Sequence, residues 1–331
     1  MNNALDLLSI GDASLDVFLN PSESEALCEI DNKKCLICFK YGEKIPVKSL
    51  DFSIGGNAAN NAVGMRRLGI NSGVVLTLGL DGIGNQILEG LKKERVDITY
   101  TVQQPATTSN YSTVINYSGE RTIFTYKAPR SYEFPVKLPP TPWVYLTSMG
   151  DSFRPFYNHL IAWLKLNPMV KLAFNPGGRQ IKVGKEAIAD VLQLTYIIFV
   201  NREEAESLTG LAGSLGKEKE LLKKLSALGP KMSVITDGPA GSYIFDGTRF
   251  FKAEVFPIDA YERTGAGDAF GSGVLAAIMK GKDLKEALLW GSANSASVIG
   301  YVGSQKGLLT EVDMSVWLKR AESSKVVVGE I

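Results

Sequence analysis

Apolar and polar residues along this chain follow two different periods, and the two periods sort it into two kinds of structure. The first kind consists of short apolar runs bounded by glycine, asparagine or aspartate. Leu5 to Ile10, ending at Gly11-Asp12, reads as a buried strand opening into a loop. The same signature recurs in GVVLTLGL, WVYLTSMG, KLAFNPGG, YIIFVN and KMSVITDG. Most of these lead into amphipathic patterns of helical period: GNQILEGLKKERV, RPFYNHLIAWLKL, KEAIADVLQL and REEAESLTG. KMSVITDG leads instead to a glycine turn and the strand-like SYIFDGTRFF, and LKEALLWGSANSASVIG and VDMSVWLKRAES read as closing helices. This alternation predicts an α/β fold, a doubly wound and mostly parallel sheet with helices on both faces.

The second kind alternates every other residue. SLDVFLN, CLICFKYGEKIPV and NYSTVINYSGERTIFTYK interrupt the α/β pattern, and Ser118-Gly119 in the last reads as a hairpin turn. They predict a small sheet, built from discontinuous segments, set beside the main domain. No internal repeat, low-complexity tract or long linker divides residues 1–331, so one domain is expected.

Two helix starts stand out. In Thr264 to Met279, Gly265, Ala266 and Gly267 lack bulk, so the backbone can turn tightly and present several N–H groups together. An almost wholly apolar run follows, which suits a helix buried on every face, and Asp268 is its only charge. A helix N-terminus favours phosphate and steadies a carboxylate; on this stretch alone, Asp268 serves equally well as a helix cap. At Gly55-Gly56, a helix begins in which Ala58, Ala62 and Met65 stack, while Asn57, Asn60 and Asn61 share another face able to bond hydroxyl groups. An asparagine-capped helix would look the same.

Asp12 and Asp16 follow the first strand's carboxyl end, where open α/β sheets bind ligands. Asn201 and Glu204 stand at i and i+3 after YIIFV, suited to hydrated Mg²⁺ beside phosphates, to a capping box, or to both. Thr236 to Gly241 is a second glycine turn whose N–H groups suit a nucleotide's phosphates. Standard nucleotide motifs are missing: GSLGKEK lacks the Walker A spacing, and Phe270 stands where a dinucleotide fingerprint needs glycine.

Composition narrows the field further. Hydrophobic residues make up 45% of 331 and charged ones 21%, enough for a large core. With 36 basic against 35 acidic residues there is no excess to hold nucleic acid or a membrane surface. MNNALDLLSIGD has no basic n-region, and no apolar segment nears the roughly 20 residues of a membrane span, so a soluble cytoplasmic protein is expected. Cys28, Cys35 and Cys38 fall in one strand-like stretch without a second pair or a nearby histidine, which favours a structural role over metal or redox chemistry. The single histidine, His159, lies in an amphipathic helix, which argues against Ser-His-Asp, Cys-His and His-zinc catalysis.

Together these residues resemble the ribokinase-like, or PfkB, carbohydrate kinase family. The likeness covers most of the chain: Gly11-Asp12, GGNAAN at Gly55 to Asn60, N-x-x-E at Asn201 and Glu204, T-x-G-x-x-G at 236–241, and TGAGD at 264–268. It implies a β lid formed by segments of about 14–52 and 108–130, and transfer of the γ-phosphoryl group of ATP to a primary alcohol. Asp268 would take the acceptor's proton, and Gly265, Ala266 and Gly267 would form the anion hole. Glu204, with Asn201, would organise Mg²⁺ through water. Thr236, Gly238, Gly241 and Asn294 would line the ATP site. Asp12, Asp16, Gly55, Gly56, Asn57 and Asn60 would hold the acceptor, and Arg121 of GERT would either reach it or stand solvated on the hairpin.

The pattern departs from the family in two places. Cation-activated relatives often carry Asp two residues before the threonine of TGAGD, where this chain has Glu262, so a K⁺ requirement stays open. Asn57 replaces the lysine that kinases of phosphorylated sugars often carry in GGKG. A free sugar such as ribose or fructose is therefore the expected acceptor. The alternative is a nucleoside, stacked on a lid aromatic such as Phe18, Phe39 or Tyr126. A non-catalytic sugar- or nucleotide-binding protein on the same fold is opposed by the intact Asp268 and glycine turn. The resemblance also allows a homodimer through the lid, since lid hairpins of the family can pair edge to edge.

Overall fold

The short apolar runs become strands buried on both faces. The structure, a computed structural model that describes residues 4–22, 27–31, 34–117 and 120–331, assembles them into a nine-stranded sheet among the described residues. The order is Ser72–Val75, Leu7–Ile10, Trp143–Leu146, Lys171–Phe174, Thr195–Asn201, Met232–Thr236, Ser242–Phe245, Phe250–Ala253 and Val328–Glu330. The first six are parallel and the rest antiparallel. Asp246 makes the reversal inside SYIFDGTRFF by accepting the N–H groups of Thr248 and Arg249. The edge strand Val328–Glu330 carries no alternation long enough to announce it in sequence.

Because side chains alternate across a strand, neighbouring residues feed opposite layers. Ile197 and Phe199 pack with Phe270, Val274, Leu288 and Met314 on one face, beneath helices Ala266–Met279, Leu284–Val298 and Glu311–Ser323. Ile198 and Val200 pack with Phe156, Leu160, Leu208 and Leu222 on the other, beneath Phe153–Leu166, Arg202–Thr209 and Glu218–Ser226. Asp268 through Ala277 are all buried, as the apolar run implied. Small residues let this helix touch the next one backbone to backbone: a Cβ on Gly273 would lie 2.6 Å from the Trp290 carbonyl oxygen.

A second, four-stranded sheet begins where Leu7–Ile10 ends. Its order is Glu120–Tyr126, Asn110–Tyr117, Ser14–Pro21 and Val47–Gly55. Ser14–Pro21 runs parallel to Asn110–Tyr117, and the other pairs are antiparallel. The expected Ser118-Gly119 turn lies outside the described residues; Tyr117 pairs with Glu120 on either side of it. CLICFKYGEKIPV does not run as one strand. Lys34–Cys38 pairs only with Leu27–Asp31, Cys28 facing Ile37, and regular structure resumes at Val47 after Gly42 and Pro46. Val47–Gly55 then feeds helix Asn57–Arg67, which returns to the main sheet and packs on Ala266–Met279. His159 lies in helix Phe153–Leu166, as expected, and is exposed there. No helix is long and apolar enough to cross a membrane among the described residues.

Gly273→Ala should force these two helices apart and cost about 1–3 kcal/mol of stability, the usual range for overpacking a tight contact. Urea unfolding would measure it; an unchanged midpoint would show that the contact relaxes freely.

Candidate active site

At Gly265 the chain turns into helix Ala266–Met279 with φ +79°, a conformation that suits glycine. A Cβ there would also lie 2.4 Å from that of Ser304, so neither shape nor space admits another residue. The first-turn N–H groups of Gly267 and Asp268 have no carbonyl behind them within the helix. They open on a cavity of about 450 Å³ lined by Asp16, Asn57, Asn201, Glu204 and Thr236 among others. An anion would find donors and a positive helix end there.

Asp268 is buried in that first turn and accepts a 2.8 Å hydrogen bond from the Asn60 amide nitrogen. Asn60 cannot turn its amide over, because its oxygen already accepts from Ser304 Oγ at 2.9 Å and Gln305 Nε2 at 3.1 Å. Burial pushes the Asp268 carboxyl up to about 6, against the lowering effect of Asn60 and helped by the charge of Glu204. The three asparagines read as one hydroxyl-binding face therefore diverge. Asn57 lines the cavity and accepts from Ser148, Asn60 serves Asp268, and Asn61 accepts from Ser9 under the sheet.

A second cavity, about 190 Å³, adjoins the first and shares Asp16, Gly56, Asn57, Ile123 and Thr264 with it. Asp12 and Asp16 both line it, and burial raises both carboxyls. Asp12 Oδ1 accepts from the Tyr132 hydroxyl at 2.7 Å, and that oxygen accepts in turn from Gly150 N–H at 2.6 Å. Asp12 Oδ2 is buried without a partner. Asp16 accepts from Ser14 at 2.9 Å. The two glycines, expected to hold the acceptor, make room first for the protein itself. A Cβ on Gly55 would fall 1.9 Å from Asp16 Oδ2, and one on Gly56 2.5 Å from Ala13 Cα. Their missing side chains admit protein atoms, though Gly56 still forms part of both cavity walls.

Asn201 and Glu204 form a complete capping box: Glu204 N–H donates to Asn201 Oδ1 at 2.8 Å and Asn201 N–H to Glu204 Oε2 at 2.9 Å. Burial raises the Glu204 carboxyl, a state that a nearby divalent cation would offset. With Asn175 on the same wall, these groups suit a hydrated Mg²⁺ held mainly by phosphate and water. Beyond Thr236 opens a third cavity of about 420 Å³, walled by Gly238, Gly241, Phe256, Ile258 and Ala296. Its apolar, slot-like lining suits a nucleobase.

Asn294 does not join that slot. It is wholly buried, donates to Ala269 O and Ser272 Oγ, and accepts from Leu309 N–H, so it ties the two long helices together. Ser292, Ser295, Ala296 and Ile299, on the other face of its helix, line the slot instead. Arg121 lines the first cavity, yet its guanidinium is engaged by Glu262 and Thr264. Among the nucleoside-stacking candidates only Tyr126 lines the second cavity; Phe18 is buried and Phe39 lies elsewhere.

The sequence pattern missed several neighbours. Arg263 faces both the first and third cavities, and Asn175, Tyr132, Ser304 and Gln305 support the groups above. Asn175 ends an apolar strand run as Asn201 does, a signal that was legible. Arg202 was hidden in NREE: it is buried and bonds Asp237, Glu218 and Ser214, fastening the capping box to the glycine turn.

Because the Asp268 carboxyl is raised in the folded state, it favours folding at low pH, and that contribution is lost as pH rises through about 6. Asp268→Asn should therefore stabilise the protein at pH 8, by up to about 3 kcal/mol for two pH units, and hardly at all at pH 4. Urea unfolding at both values checks this; equal effects at the two would refute the buried-charge account.

The pfkB family carbohydrate kinase model matches residues 10–311. An ATP-dependent 6-phosphofructokinase of Thermoanaerobacterium thermosaccharolyticum is 28% identical over 281 residues, which cover 81% of this chain and 86% of that protein. A nucleoside kinase of Methanocaldococcus jannaschii is 27% identical over 271 residues, 77% of this chain and 82% of that one. Among solved structures, Arabidopsis thaliana ribokinase complexed with ribose and ATP matches the fold with a TM-score of 0.78 at 22% identity, covering 96% of this chain and 99% of its own. The family pattern thus runs through both sheets and all three cavities, and the chain belongs to the pfkB family of carbohydrate kinases, phosphotransferases that act on an alcohol group.

Proposed function

We propose that this kinase transfers the γ-phosphoryl group of ATP to a primary hydroxyl of a free sugar, with Asp268 as general base. The observation that carries this reading is Asp268 itself: a buried carboxylate, oriented by Asn60, in the first turn of a helix whose free N–H groups open on the same cavity. Asp268 would accept the proton of the hydroxyl as its oxygen attacks phosphorus. The N–H groups after Gly265 would stabilise charge on the transferring phosphoryl oxygens, the usual source of catalysis in this chemistry. Mg²⁺, organised by Glu204 and Asn201 through water, would neutralise the phosphates when bound. Thr236, Gly238 and Gly241 would hold the nucleotide, and the second sheet would act as a lid that excludes water.

Support for a free sugar comes from the acceptor cavity. Its volume, about 190 Å³, is below the roughly 300 Å³ at which drug-sized pockets begin. Asp12 and Asp16 suit hydroxyl donors and disfavour a phosphate beside them, and Asn57 brings no lysine to hold one. Tyr126 on the cavity wall, and the likeness to a nucleoside kinase, favour a nucleoside instead. Glu262 already has Arg121 as its cation, which supports transfer without added K⁺. A homodimer would form through the lid, whose outward side chains Leu50, Phe52 and Phe124 are 51%, 61% and 61% exposed; sedimentation giving only monomer would exclude it.

The decisive assay is ADP release from Mg-ATP with free sugars, sugar phosphates and nucleosides, each with and without K⁺. A free sugar should turn over, and Asp268→Asn should reduce kcat by about 10²–10⁴-fold while ATP binding persists. Turnover with nucleosides alone would overturn the acceptor, and undiminished activity of Asp268→Asn would overturn the base. Wild-type kcat/KM should rise with pH through about 6 as Asp268 ionises. Asn60→Ala removes a bond to the ionised form, so its midpoint should move upward; a downward move would contradict the orientation role.

A further inference from the structure

We infer that Glu262 is a positioning residue for phosphoryl transfer, acting through the turn that opens the anion hole, and that Arg121 of the lid is the cation its carboxylate requires. The inference rests on reading 264–268 as the anion hole. Glu262 stands where three elements meet. Its N–H donates to the Ile299 carbonyl at 3.0 Å, which fixes the backbone to the end of helix Leu284–Val298. Its Oε1 accepts the Thr264 N–H at 2.7 Å, one residue before Gly265. The same oxygen accepts from the Arg121 guanidinium, 141 residues away on the outermost lid strand. Arg121 also donates to Thr264 Oγ1 at 2.7 Å, so the two side chains grip the turn from both sides.

Burial and charge give this pair more than a scaffolding role. The Glu262 side chain is 3% exposed, and its second oxygen, Oε2, is buried with no partner. A carboxylate so poorly solvated depends on its one paired cation. Without Arg121 its charge would stand beside a site built for phosphate. That charge already reaches Asp16, where it adds to burial in raising the carboxyl. Arg121, by contrast, is 34% exposed and lines the transfer cavity.

The strand that carries Arg121 also carries Ile123 and Thr125, which line the acceptor cavity. An acceptor seated under this strand and the Arg121–Glu262 pair therefore favour the same strand position. Lifting the strand would remove the cation from Glu262 and release Thr264 together. The anion hole is then fully formed when the lid is down on an acceptor, and ATP meets a less complete site when it is not.

The test is a double-substitution cycle with Arg121→Met, Glu262→Gln and the pair in the full-length chain. Arg121→Met should lower kcat by about tenfold or more while acceptor KM changes by less than about threefold, because the loss lies in the anion hole. Adding Glu262→Gln removes the uncompensated charge, so the double variant should recover about fivefold or more over Arg121→Met. Losses that multiply, or a raised acceptor KM at constant kcat, would overturn the inference and make Arg121 a grip on the acceptor. Amide exchange with Mg-AMP-PNP bound supplies a readout free of any acceptor. Arg121→Met should speed exchange about tenfold in both 120–126 and 264–268, since the pair closes both segments. Unchanged exchange at 264–268 would overturn the inference even if no acceptor were found, whereas faster exchange without turnover by the wild type would count only against the proposed reaction.

Discussion

The Asn60 amide donates to Asp268 across 208 residues of chain, and most of the active site depends on that bond. It joins the helix that descends from the second sheet to the helix that begins after Gly265. A buried carboxylate in the first turn of an apolar helix is costly unless something bonds it. Asn60 bonds it without neutralising it, and Ser304 and Gln305 fix which end of the amide points inward. The arrangement leaves Asp268 both oriented and raised toward neutral pH, the two properties a proton acceptor needs.

That bond is possible only because backbones approach closely around it. A side chain on Gly265 would strike Ser304, and one on Gly64 would lie 2.5 Å from Ser272 Oγ, between the same two helices. Gly273 brings helix Ala266–Met279 against its other neighbour. These contacts explain the small residues Gly265, Ser272 and Gly273 where the helix holding Asp268 meets its neighbours. Bulk would pack the core as well but would move the Asn60 and Asp268 side chains apart.

The site gathers Asp12, Asp16, Glu204 and Asp268 around two joined cavities, with Glu262 buried behind Thr264 on their shared wall. Each has a different partner: a tyrosine, a serine, a backbone N–H, an arginine and an asparagine. Neutral partners leave a carboxylate's charge available to a ligand, whereas Arg121 cancels that of Glu262. The distribution suits a pocket that receives hydroxyl groups at one end and phosphates at the other. Asp12 and Asp16 crowd the smaller cavity, while helix N–H groups face the first and Arg263 faces both the first and the third.

The α/β fold, a second sheet and the motif residues are legible along the chain alone. Local signals carry these: strand period, helix period, and glycines at turns that few other residues can make. Asp12, Asn57, Asn201, Glu204, Thr236 and Asp268 stand on cavity walls because each lies at a strand end or opens a helix, and Asp16 joins them from within strand Ser14–Pro21. Tertiary structure decided which way each polar side chain turned. Asn60 and Asn61 adjoin in sequence, yet one bonds Asp268 and the other Ser9, because adjacent helix positions lie about 100° apart. Asn294 fell on the packed side of its helix for the same reason, leaving the third cavity to Ser292 and Ser295. Partners distant in sequence, such as Tyr132 for Asp12 and Arg121 for Glu262, leave no local periodicity to read, and folding alone brings them together.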